Sequence, residues 1–77
     1  MYQSLDAELA RITQKLWAVT RLPGDPDAAT RDVDELEQCI AMIERRGDPS
    51  PEYLASARHA VEAARRAIED ERSERGR

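Results

Sequence analysis

The sequence predicts an all-α protein, a small antiparallel three-helix bundle, and two observations carry that prediction. Large apolar residues recur at alternating steps of three and four in three runs. The first is Tyr2, Leu5, Leu9, Ile12, Leu16 and Val19; the second is Ala29, Val33, Leu36, Ile40 and Ile43; the third is Leu54, Ala57, Val61, Ala64 and Ile68. Such steps place each run on one face of an α-helix, and a face of that kind has to be buried. Between the runs stand Leu22-Pro23-Gly24-Asp25-Pro26 and Gly47-Asp48-Pro49-Ser50-Pro51, where proline removes a backbone donor and clashes with the preceding turn. Linkers this short make successive helices antiparallel.

The first helix is predicted over residues 4–22. Ser4 serves as its N-cap, Asp6 and Glu8 suit its positive end, Arg21 suits its negative end, and Pro23-Gly24 stops it. The second is predicted over residues 26–46, with Asp25 as cap, Pro26 in the first helical position and Asp27 in the first turn. Arg45 and Arg46 oppose its negative end, and Gly47 follows as a residue tolerant of left-handed φ. Its stripe, with Leu36 and Ile40, is expected to supply the central core.

The third helix is predicted over residues 51–72, with Ser50 as cap, Pro51 first and Glu52 second. Arg58/Glu62, Glu62/Arg66, Arg65/Glu69 and Arg66/Asp70 stand four apart and suggest a solvated face. Residues 73–77 hold no apolar anchor and are expected to fray, leaving one helical domain over residues 1–72.

A chain of 77 residues has room for one core, worth about 3–5 kcal/mol of net stability. Phe is absent and Trp17 is the one Trp, so the core is thin. The alternative architecture follows from that: a helical hairpin whose third helix is completed by dimerisation.

Charge is dense and nearly balanced, 16 acidic against 12 basic residues for a net charge of −4. No basic face marks the chain for direct nucleic-acid binding. Eleven of the basic residues are Arg, a bias that points to a GC-rich bacterial or phage genome. Cys39 stands alone and excludes an intrachain disulfide. The opening residues lack the basic and apolar regions of a signal peptide, and the longest apolar run, Cys39 to Ile43, falls far short of the roughly 20 residues of a membrane span. A cytoplasmic protein away from the membrane is expected.

Catalysis lacks its parts. Ser56, His59 and Glu62 are three apart, but an exposed helix face has no free N–H groups to hold an oxyanion. No Gly-rich phosphate loop occurs, and His59 as the one His leaves no metal-ligand set, so no cofactor or metal is expected. His59 is read as an ordinary exposed residue, with Glu62 three positions on and within reach of a hydrogen bond.

Contact surfaces are the more productive reading. Trp17 stands beside the first stripe near Arg21, where it either covers a neighbouring helix or anchors a partner. Met42 lies away from the second stripe, whereas Cys39 is able to tuck into the core edge. Asp34, Glu35 and Glu37 belong to an acidic stretch that is either solvated or turned to a basic partner. Trp17, Arg21, Met42, Asp34, Glu35 and Glu37 are therefore the candidate partner-binding residues. A second seam on the third helix, Tyr53, Ser56, Ala60, Ala63 and Ala67, is the candidate self-association surface of a homodimer.

These observations point to a non-enzymatic protein–protein interaction module, a small bacterial or phage-type regulator or inhibitor that occupies a partner's surface. The alternatives are an acidic nucleic-acid mimic, antitoxin-like in blocking a basic site, and a structural oligomerisation subunit.

Overall fold

Helix signals and proline breaks produce three helices, α1 (Leu5–Arg21), α2 (Pro26–Arg46) and α3 (Pro51–Arg75), in the computed structural model, which describes residues 5–47 and 49–76. They pack against one another as an all-α three-helix bundle, with no strand among the described residues. Tyr2 and the expected cap Ser4 lie outside those residues. The bundle is a rod of 47 × 21 × 18 Å. No helix among the described residues is long and apolar enough to cross a membrane.

The start of α2 is built as its sequence suggests. The Asp25 side chain accepts a hydrogen bond from the Asp27 N–H at 3.2 Å, and Pro26 occupies the first turn, where its missing N–H has no partner to lose. The left-handed conformation expected of Gly47 is absent: its φ is −154°, extended backbone. A Cβ there would instead run into Leu5 Cδ1. The left-handed residue is Gly24, with φ +64°, in the turn from α1 to α2.

Ser50 precedes α3, but its side chain makes no capping bond within that helix. Asp6 of α1 takes over: its carboxylate accepts the Ser50 N–H at 3.0 Å and the Ser50 O–H at 2.8 Å. One carboxylate thus satisfies a free donor at the head of α3 and ties that turn to the first turn of α1.

The core holds Leu9 and Leu16 from α1, Val33, Ile40 and Ile43 from α2, and Ala57, Ala60, Val61, Ala64 and Ile68 from α3. The stripes are therefore the buried faces. Yet the central helix is α3 and not α2, because α3 packs extensively on both neighbours while α1 and α2 touch each other least. Ala57, Ala60 and Ala64 are completely buried, and side chains this small let α1 approach closely. Leu36 is only partly buried, at the edge of the α1–α2 contact.

The helix of residues 51–72 continues to Arg75. The Arg75 guanidinium donates to the Gly24 carbonyl at 3.1 Å and to Glu71 at 3.1 Å, so polar contacts hold a segment that has no apolar anchor.

Candidate functional site

Two faces of α2 have opposite characters. Toward α3, an arginine ladder closes the interface. Arg58, Arg65 and Arg72 stand seven apart and hence on one side of α3. Arg58 bonds Glu44 at 2.6 Å, Arg65 bonds Asp34 at 3.0 Å and also Glu37, and Arg72 bonds Asp27 at 2.9 Å. Arg72 further donates to the Thr30 hydroxyl at 3.4 Å. The pairing of Arg58, Arg65 and Arg72 with Glu44, Glu37 and Thr30 is a strict antiparallel register. Glu37 first, then Asp34, hold the Arg65 guanidinium protonated beyond its ordinary range.

The expected pairs of Arg58 with Glu62 and Arg65 with Glu69 give way to this ladder, because the carboxylates of α2 are presented to the same guanidinium groups. The hollows between the rungs mix charged and apolar side chains: Arg65, Arg66, Glu69 and Arg72 stand around Ile68 beside Thr30, and Glu37, Arg58 and Glu62 stand around Ile40, Ala41 and Val61.

Toward α1, the face of α2 stays open. Because α3 draws both helices onto itself, a continuous groove runs between them, formed by two adjoining hollows of about 320 and 340 Å³. Its apolar lining is Ile12 and Val19 from α1 with Leu36, Met42 and Ile43 from α2. Met42 is 51% exposed. Cys39 is exposed on the same wall instead of tucked into the core edge, since α1 does not close over it. Glu8, Arg11 and Lys15 edge the α1 side; Asp32, Glu35 and Arg46 edge the α2 side.

The structure distributes the predicted partner-binding residues over several faces. Met42 and Glu35 lie along the α1–α2 groove. Asp34 and Glu37 are engaged by Arg65 on the opposite side of α2. Arg21 is exposed at the end of α1. Trp17 packs against the core, and its ring meets that of His59 edge-on, with centroids 6.0 Å apart and planes at 61°. It therefore covers α3, the neighbouring-helix role considered for it. His59 is exposed, as expected, and its ring partner is Trp17.

The seam proposed for self-association is not an open stripe. Ala60 is completely buried within the chain, and Ala63 and Ala67 are partly buried on the same side, leaving Tyr53 and Ser56 exposed near the start of α3. The small side chains serve the close approach of α1 within one chain. Sequence reasoning missed the groove because Ile12, Val19 and Leu36 belong to perfect stripes. Incomplete closure of two helices over a third leaves no mark in periodicity.

Among the described residues no group of three or more His, Cys, Asp or Glu side chains is placed to hold a metal ion. Comparison with protein-family models, curated proteins and solved structures finds no match for this chain.

Proposed function

We propose that this protein is a non-enzymatic protein–protein interaction module whose contact surface is the α1–α2 groove. The observation that carries the reading is the groove itself, where the exposed Met42 stands beside the partly buried Ile12, Val19 and Leu36 between charged edges. Apolar cores with polar rims are the anatomy of protein contact sites, and a groove between two helices fits apolar helical surface from another chain. The module acts as a small cytoplasmic regulator or inhibitor of bacterial or phage type, by occupying its partner's surface. The ladder weighs against the acidic-mimic reading, since Asp27, Asp34, Glu37 and Glu44 are already answered by arginines of the same chain.

Met42→Glu tests the surface at a site exposed enough for the fold to stand. A partner purified after capture from the host is expected to bind the wild type saturably and the folded variant at least about tenfold more weakly, a loss of roughly 1.4 kcal/mol. Equal affinity of both proteins for every such partner would remove the groove from the reading.

A further inference from the structure

We propose that the last two turns of α3, residues 69–75, form a strap that opens and closes independently of the bundle, fastened by charge and released by salt. Ile68 is the last apolar side chain of α3; after it come Glu69, Asp70, Glu71, Arg72, Ser73, Glu74 and Arg75. A helix within a protein owes most of its stability to the packing of an apolar face, and this stretch has none. Glu71 is partly buried and the other six residues are exposed. Glu74 also stands in the last turn, where the negative end of the helix disfavours an acid.

Among the described residues, three side-chain hydrogen bonds join the strap to the rest of the chain. Arg72 Nη2 donates to Asp27 at 2.9 Å and to the Thr30 hydroxyl at 3.4 Å, and Arg75 Nη2 donates to the Gly24 carbonyl at 3.1 Å. The bond from Arg75 to Glu71 lies within the strap and moves with it. Both arginines therefore fasten one place, the turn from α1 to α2 and the head of α2. Gly24 is the left-handed residue of that turn, and Asp27 belongs to the first turn of α2.

The fastenings are open to solvent. The Arg72 and Asp27 side chains are 52% and 81% exposed. Such pairs are weak, and they are screened as the Debye length falls from about 30 Å at 0.01 M salt to about 3 Å at 1 M. The residues before the strap are held differently, by the buried Ala57, Ala60, Val61, Ala64 and Ile68. A boundary in stability therefore falls just after Ile68, where apolar packing ends and charge alone continues.

Amide hydrogen exchange of the whole chain, followed by NMR, reads the strap residue by residue. At 0.01 M salt the amides of residues 72–75 are expected to exchange at least about tenfold faster than those of residues 57–64, which open only with the bundle. Raising salt to 1 M should quicken the strap amides by about threefold or more. At low salt, Asp27→Asn and Arg75→Gln should each quicken them as well. Gln is close to Arg in helix propensity, so Arg75→Gln tests the bond and not the helix. Position 27 is 45 residues from Arg72 and on another helix, so ordinary fraying of a helix end is indifferent to Asp27→Asn. In Arg75→Gln the Leu22 amide, which donates to the Ala18 carbonyl at 3.0 Å, should also exchange faster, because the turn beside it has lost its fastening.

Strap amides as slow as those of residues 57–64 would make α3 one cooperative unit and overturn the proposal. Fast exchange that ignores both salt and Asp27→Asn would overturn it as well, leaving plain fraying. A Leu22 amide unmoved by Arg75→Gln would show that the strap fastens nothing beyond itself, and the proposal would fall on that result too.

Discussion

At the scale of single residues, Asp6 carries more structural consequence than its place in the sequence suggests. Its carboxylate is the acceptor for both the backbone N–H and the hydroxyl of Ser50, 44 positions away. Asp6→Ala removes both bonds and leaves a donor at the head of α3 to water. A cost of about 1–2 kcal/mol is expected, since hydrogen bonds to charged groups exceed the neutral average and this one is partly exposed. Thermal unfolding followed by circular dichroism should show a fall of roughly 4–8 °C per kcal/mol for a chain of this size. Asp6→Asn should recover part of the loss, because one acceptor oxygen remains. The sequence marks Asp6 only as an acid suited to a helix start, and that local reading is complete on its own terms. The role at Ser50 is set by how the α2–α3 turn lies on α1, which no spacing within α1 encodes. Gly47 and Gly24 teach the same lesson: both follow a helix, but the left-handed φ belongs to Gly24.

At the scale of elements, the interface between α2 and α3 is specified by charge as well as by apolar stripes. The seven-residue spacing of Arg58, Arg65 and Arg72 is visible in the sequence, as are Glu37 and Glu44 at the same spacing. What could not be read is which neighbour Arg58 and Arg65 choose, because Glu62 and Glu69, four residues along α3, offer equal reach. The structure turns Arg58, Arg65 and Arg72 across the interface, where sliding α3 by one turn would part every rung. Exposed pairs contribute about 0.2–1 kcal/mol each, so the ladder sets register more than it adds stability. Arg65 is the rung with two carboxylates. Arg65→Ala is expected to cost about 1 kcal/mol at low ionic strength, and the difference from wild type should shrink in molar salt. Melting curves at the two salt concentrations check this; a salt-independent difference would place the effect in the packing of the arginine stem instead.

At the scale of the whole molecule, burial is divided unequally, and that division separates positions that the stripe pattern treats as equivalent. Leu36 and Ile40 stand four apart on the same run of α2, and from the sequence both belong to the central core. In the folded chain Ile40 is 2% exposed and sits among residues of the core, whereas Leu36 borders the open groove. The difference arises because α3, with its buried alanines, is the helix that the other two share, leaving the α1–α2 contact as the least closed of the three. An aspartate at position 40 would place an unpaired charge at a site that is almost fully buried, and that penalty exceeds the roughly 3–5 kcal/mol available to a core of this size. Ile40→Asp is therefore expected to abolish the cooperative transition. An aspartate at position 36 can turn its carboxylate into the groove and reach solvent, so it loses mainly the transfer energy of a partly buried leucine, about 1–2 kcal/mol. Leu36→Asp should consequently remain helical and melt cooperatively at a lower temperature. Circular dichroism of the two variants side by side decides the matter. Equal unfolding by both would mean that the groove closes in solution and that Leu36 belongs to the core after all.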